Sequence, residues 1–145
     1  MSIRRAVEYH LKWCIEEEIK QDFPDFEVVE SLRQEERPLP VVLITAGEAE
    51  PMLGDQPDSL GNYSVSVSAL VLSNVHKDTV DNHSEVAHRI RRKMSEVFSR
   101  KASRVMGLYL YEIEQGGIGE DNDGHQMGTG INFRVLCNYQ PEFTG

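Results

Sequence analysis

Three residues that could bind a divalent cation lie together in one glycine-rich stretch of the chain. They are Asp121, Asp123 and His125, and Glu120 is adjacent to them. Carboxylate oxygens and imidazole nitrogens are common ligands of such ions. The stretch lacks the later bidentate glutamate and the number of ligands that a calcium loop requires. A metal-binding module is therefore kept as an alternative, and the same four residues are interpreted as a loop that contacts a partner protein.

The other residue types that could support catalysis do not have the spacing that catalysis needs. His83 and His88 fall on one predicted helix, but a separation of five residues turns their side chains about 140° apart, away from a common metal ion. The chain has no GxxxxGK[ST] phosphate loop and no serine in a nucleophile elbow. Cys14 and Cys137 both fall on apolar faces, which favours two buried free thiols over the alternative of a disulfide, a bond that a reducing cytosol disfavours. The sequence thus predicts neither an enzyme nor a resident cofactor.

One strand and the helix that follows it organise the rest of the chain. From Asn62 to Val75, apolar residues alternate with serines, which predicts a strand with one buried side. From Thr79 to Phe98 the apolar residues, with His83 among them, recur every three or four positions, which predicts an amphipathic helix. Asp78 or Thr79 is expected to cap its start. We expect this helix to lie on the apolar face of the strand.

The remaining segments complete a small α+β domain. A first amphipathic helix is predicted from Ile3 to Lys20, capped by Ser2 and with Glu8 on its polar side. Four further strands are predicted at Phe26–Leu32, Val41–Ala46, Met106–Glu114 and Ile131–Tyr139. Residues 47–61 and 115–130 are rich in glycine and acids and are predicted to be flexible loops, the second at the tip of a β-hairpin. The order α-β-β-β-α-β-β predicts one domain spanning all 145 residues, a two-layer sandwich with two helices on one face of a mainly antiparallel sheet of about five strands.

Length and composition place the chain among ordinary globular proteins. With 145 residues, 39% of them hydrophobic and 27% charged, the chain is long enough for one domain with a core of its own. No run approaches the roughly 18 apolar residues that a membrane span needs, and the N-terminus lacks the apolar stretch of a secretory signal. We therefore expect a protein that stays in the cytoplasm where it is made and has no membrane partner.

The net charge of −9 is distributed unevenly. The segment from Arg89 to Arg104 holds seven basic residues and one acid, Glu96, for a net charge of +6, whereas the remaining eight basic and 23 acidic residues give −15. A chain polarised in this way can attract copies of itself. The predicted subunit-interface residues are Arg89, Arg91, Arg92, Lys93, Arg100, Lys101 and Arg104. The alternatives are a solvated helix face and a surface that faces DNA.

Several segments of the sequence resemble the tail terminator, or tail completion, proteins of long-tailed bacteriophages. The resemblance rests on the element order, on the strands VVLITAG and YSVSVSALVLS, on the helix DNHSEVAHRIRRKM, and on a closing hairpin that ends in FRVLCNYQP. It extends roughly from Ile3 to Pro141. It implies a small α+β fold that assembles into a hexameric ring and has no catalytic site.

The resemblance also implies a set of partners and a location. The ring would cap the finished tail tube and join it to the head connector or stopper protein, in the tail-neck region of the virion, after assembly in the host cytoplasm. DNA would pass through the lumen without specific binding. Another neck or head-completion protein of the same virion is one alternative, and a cytosolic metal-binding module is the other.

Overall fold

The computed structural model describes residues 2–30, 39–52, 61–74, 80–96 and 103–140 of the 145-residue chain. Within these ranges it contains two helices and five strands. In chain order they are α1 (Ile3–Ile19), β1 (Glu27–Glu30), β2 (Val41–Pro51), β3 (Asn62–Asn74), α2 (Val80–Glu96), β4 (Leu108–Asn122) and β5 (Gln126–Tyr139). The predicted order of helices and strands is confirmed.

The five strands form one sheet in the order β1-β2-β3-β5-β4. β1 pairs with β2 in parallel, and the other three pairs are antiparallel. β3 pairs with β5 along its whole length, from Asn62 opposite Asn138 to Asn74 opposite Gln126. The predicted α+β class with a mainly antiparallel sheet is therefore confirmed.

Both helices pack on one face of this sheet and against each other. The alternation predicted for β3 is observed, because every second residue from Val65 to Val71 is buried in the core while Ser66 is exposed. α2 adds its apolar stripe to the same core, with Val86, Ile90 and Met94. A strand with one buried side and a helix with one apolar stripe each need a partner surface, and here they cover one another.

The start of α1 is fixed by the predicted cap. The Ser2 hydroxyl accepts a hydrogen bond from the Arg5 N–H at 3.2 Å, which satisfies a donor that the first helical turn leaves free. Glu8 was expected on the polar side, but it is fully buried. It lies three residues before Leu11 and seven before Ile15, so helical spacing places it on the apolar stripe. The prediction for Glu8 is wrong for this reason.

The first predicted loop, residues 47–61, is partly strand. β2 continues to Pro51, and its register with β3 shifts by one residue between Ala46 and Ala49. Such a bulge absorbs an extra residue and lets the ladder continue beyond it. The predicted end of this strand at Ala46 is therefore wrong. Residues 53–60 of the predicted loop lie outside the described residues.

The second predicted loop, residues 115–130, is almost entirely strand. β4 extends to Asn122 and β5 begins at Gln126. The many glycines predict a loop, but backbone hydrogen bonds do not depend on side chains, and β3 offers β5 a complete partner. Leu72 also lies close over Gly128, where an added Cβ would be 3.3 Å from the leucine side chain. The predicted hairpin is confirmed, but its tip is a short turn.

Both cysteines are buried free thiols, as predicted. Burial raises the pKa of the Cys137 thiol to about 11, because a buried thiolate would lose its hydration. This thiol is therefore protonated at neutral pH and is a poor nucleophile.

Some predicted boundaries fall outside the described residues. They are the helix cap at Asp78 or Thr79, the last predicted helical residues 97–98, and the end of the first strand at residues 31–32. In the ranges that are described, neither helix combines the length and apolarity that crossing a lipid bilayer requires.

Candidate functional site

A cleft of about 380 Å³ lies between α2 and the hairpin formed by β4 and β5. Residues 114–125 of this hairpin are all exposed, so α2 leaves the far part of β4 uncovered. The lining includes Ala87, His88 and Arg91 from α2, Ile118 and Glu120 from β4, and Met127, Thr129 and Ile131 from β5. The cleft thus has a helical wall and a strand wall.

A buried histidine connects the two walls at the base of the cleft. His83 on α2 is 4% exposed. Its Nδ1 lies 2.8 Å from the Ser73 hydroxyl of β3, and its Nε2 lies 2.8 Å from the Thr129 hydroxyl of β5. Burial lowers the pKa of His83, and the nearby charge of Glu120 opposes this shift. Because both ring nitrogens lie within hydrogen-bond distance of hydroxyl groups of the same chain, His83 has a role in packing. Its place on the apolar stripe predicts this role.

The two walls carry opposite charges above an apolar floor. Arg91 and His88 are exposed on α2, and Glu120 is exposed on β4. Between them Ile118 pairs with the buried Ile131 and is itself 44% exposed. Protein–protein contacts combine apolar side chains with surrounding polar groups, and Ile118 between Arg91 and Glu120 is a small example of that combination. The cleft can therefore accept a segment that presents an apolar side chain next to a charge.

Arg89, the first of the predicted interface residues, makes contacts with other residues of its own chain. Its guanidinium donates hydrogen bonds to Asp22 and Glu85. The group also lies 5.0 Å from the centre of the Phe23 ring. The hydrogen bond to Asp22 is the main cause that raises the pKa of Arg89. These contacts join α2 to the segment that follows α1.

Arg92 and Lys93 also make contacts within the chain. Both pair with Glu18 of α1, at 3.3 Å and 3.8 Å respectively. The Lys93 side chain is only 12% exposed, so much of this pair is shielded from water. The two residues therefore hold the helices together, and their predicted role between subunits stays a prediction.

The other predicted interface residues have different surroundings. Arg91 is exposed in the cleft and has no ion pair with any described residue. Arg104 places its guanidinium 4.1 Å from the centre of the Trp13 ring. Arg100 and Lys101 lie outside the described residues. Of the predicted interface residues that the structure describes, only Arg91 lines the cleft.

One of the acidic residues near the hairpin tip, Asp123, shapes the turn. The Asp123 carboxylate accepts hydrogen bonds from the N–H groups of His125 and Gln126 at 2.8 Å and 2.7 Å, and these bonds lower its pKa. Glu120 and Asp121 line the cleft instead. Across the described parts of the chain, no three histidine, cysteine or acidic side chains form a group that could hold a metal ion. The role of these acids as partner contacts stays a prediction.

Reasoning from the sequence alone misses a second buried histidine, on α1. His10 is 2% exposed, its Nδ1 accepts a hydrogen bond from the Arg104 N–H at 3.2 Å, and its Nε2 lies 3.7 Å from the Cys14 sulfur. Burial lowers its pKa to about 4. The only sequence signal is its position four residues before Cys14, which puts both on one side of the helix. The contact ties the segment before β4 to α1.

Comparison with known proteins yields a structural likeness. No protein-family model matches the chain, and no curated protein sequence matches it. Among solved structures, the chain is similar to the gp17 protein of bacteriophage SPP1, with 13% sequence identity and a TM-score of 0.43. The similarity covers 93% of this chain and 95% of the other. At this level of similarity, function has to be argued from the residues themselves.

Proposed function

We propose that this chain is a structural protein of a long-tailed bacteriophage. It is a tail terminator whose six copies form a ring that caps the tail tube and joins it to the head connector. The observation that carries the proposal is the agreement between the family that the sequence resembles and the observed α-β-β-β-α-β-β order in a two-layer domain. The proposal includes no catalytic residue and no cofactor.

The charge distribution supports assembly of identical subunits. A closed ring needs two different surfaces that fit each other on neighbouring copies. The five strands carry eight acidic residues and one basic residue, Arg134, whereas Arg91 on α2 is an exposed basic residue that has no ion pair with any described residue. Surfaces of opposite sign favour a head-to-tail contact and disfavour contact between two copies of the same surface.

The same distribution supports passage of DNA without specific binding. Strong binding to the phosphate backbone requires several lysines or arginines that can replace counterions. Arg89, Arg92 and Lys93 are already paired with acids of their own chain, and the strands are acidic. We therefore propose that DNA passes through the ring lumen and that this protein has no specific binding site for it.

Imaging and solution measurements together test this function. Electron microscopy of particles that contain the chain should place six copies in one ring at the head-proximal end of the tail tube. Light scattering of the purified chain should detect hexamers, or monomers that assemble only when tail tubes are added. A different copy number or another position in the neck would instead indicate a different neck or head-completion protein. The structural role would be refuted if the chain stays monomeric at high concentration and does not bind to tail tubes.

A further inference from the structure

We propose that the cleft receives the end of β2 from a second copy of the chain. The inserted part, here called the β2 end segment, comprises Glu48 to Met52. It contacts the end of the cleft that contains Arg91, His88 and Ile118. The inference rests on the proposed self-assembly and specifies which two surfaces meet.

At the receiving end of the cleft, an exposed charged group without an ion pair among the described residues lies near an exposed apolar side chain. Arg91 is exposed and has no ion pair among the described residues. Its backbone carbonyl accepts a hydrogen bond from the Gln115 side chain at 3.3 Å, which joins this turn of α2 to β4. Ile118, on the same stretch of β4, is 44% exposed. A partner that offers a carboxylate and an apolar side chain would satisfy both groups.

The β2 end segment presents those two groups: the carboxylate of Glu50 for Arg91 and the side chain of Met52 for Ile118. β1 pairs only with Val41 to Ile44 of β2, so the later part of β2 has no strand on its outer side among the described residues. The bulge after Ala46 precedes this part. Glu48, Glu50 and Pro51 are exposed, and Met52 is 38% exposed. Methionine is unbranched and polarisable, which suits it to contacts between proteins.

The position of Met52 is held from within its own subunit. The Tyr111 hydroxyl lies 3.0 Å from the Met52 sulfur, and the Met52 N–H donates to the Asn62 carbonyl at 2.9 Å. These two contacts order the end of the segment before any partner arrives. An ordered segment loses less conformational entropy when it binds.

One molecule cannot fill its own cleft. Pro51 lies opposite Tyr63, whereas Ile118 lies opposite Ile131, which in turn lies opposite Ala69. Six residues along the strands correspond to roughly 20 Å, and the three strand spacings from β2 to β4 add roughly 14 Å across the sheet. Both strands are fixed in this sheet, so the contact must join two copies. It uses two different surfaces, as a ring requires.

The acid on the other wall sets the direction of entry. Glu120 pairs with Thr129, two positions further toward the hairpin tip than Ile118. Its charge repels the carboxylates of the β2 end segment from the tip and leaves the Arg91 end as the favoured side. The two walls of the cleft therefore determine orientation as well as affinity.

A charge exchange in the full-length protein tests the contact. Arg91→Glu and Glu50→Arg should each weaken self-association about tenfold or more, measured by sedimentation with or without added tail tubes, because each places like charges together. The double variant should return association to within about threefold of the wild type. Arg134→Glu makes the same change at an exposed arginine on β5 and should leave association unchanged. Circular dichroism would verify that each variant is folded.

The outcomes separate this inference from the proposed function. If the wild type forms rings and both single variants form them equally well, the contact is wrong and the ring function stands. If the single variants fail and the folded double variant fails as well, the pairing of Arg91 with Glu50 is refuted. If the wild type itself never associates, alone or with tubes, both the proposed ring function and the proposed contact are wrong.

Discussion

The Glu8 carboxylate of α1 accepts a hydrogen bond from the Ala46 N–H of β2 at 2.8 Å. Ala46 is the last residue of β2 before the register shift, where the pairing of backbone groups with β3 is interrupted. Glu8 is fully buried, and the Arg4 guanidinium nitrogen lies 4.0 Å from its carboxylate. A helix side chain thus takes over a bond that the sheet cannot make at the bulge.

Removing this acceptor should destabilise the fold. Glu8→Ala leaves the buried Ala46 N–H without a partner, and such a loss costs about 1–3 kcal/mol. Glu8→Gln keeps a carbonyl oxygen at the end of a side chain of the same length and should lose clearly less. Urea unfolding of the wild type and both variants at pH 7 checks the difference. Equal stability of Glu8→Ala and the wild type would contradict this role.

Stability should fall in mild acid because of His10. Burial lowers its pKa from 6.5 to about 4 in the folded chain, so the unfolded chain takes up a proton more readily. The free energy of unfolding should therefore decrease as the pH drops from about 6.5 to about 4, by about 3 kcal/mol for this residue. In His10→Asn the amide oxygen can still accept the Arg104 N–H, but the group does not titrate. Urea unfolding at several pH values should give a smaller decrease for this variant, and parallel curves would contradict the prediction.

The elements that local pattern predicts well are β3 and α2. The alternation from Tyr63 to Val71 and the helical spacing through Ile90 and Met94 each depend on neighbours in the sequence, and each is observed. The order of the strands in the sheet, by contrast, is not predicted by local pattern. β5, the last strand, lies between β3 and β4, and such an arrangement depends on contacts between distant segments that periodicity does not encode.

The candidate site shows the same division between local and distant information. The basic residues of α2 are recognised by their charge, but the acids that pair with three of them are far away in the sequence. Arg89 meets Asp22 across 67 positions, and Arg92 meets Glu18 across 74. The exposure of Ile118 likewise depends on the gap between α2 and β4, two elements that are distant in the sequence. Neither the pairing nor the cleft can be obtained from composition.

Two neighbouring basic residues on α2 should respond differently to charge reversal. Lys93→Glu places a negative charge next to Glu18 at a site where the lysine side chain is 12% exposed, and should cost about 1–2 kcal/mol of stability. Arg91→Glu changes an exposed residue without an ion pair among the described residues, and should alter stability by no more than about 0.5 kcal/mol. Urea unfolding of both variants measures the contrast. Similar losses in both would mean that the Glu18 contact does not hold the helices together.

Two adjacent glycines on β4 provide the sharpest test of the strand assignment in the glycine-rich segment. An added Cβ at Gly116 would lie 2.7 Å from the carbonyl oxygen of Asn132 on β5, whereas an added Cβ at Gly117 would meet nothing within 4 Å. Both lie in the register shift between Gln115 and Ile118. Gly116→Ala must therefore displace backbone and should lower stability by about 1–3 kcal/mol, while Gly117→Ala should be neutral or slightly stabilising, because alanine restricts the unfolded chain. Thermal unfolding of the two variants checks this. If the segment were a loop that does not pair with β5, the two substitutions would have the same small effect.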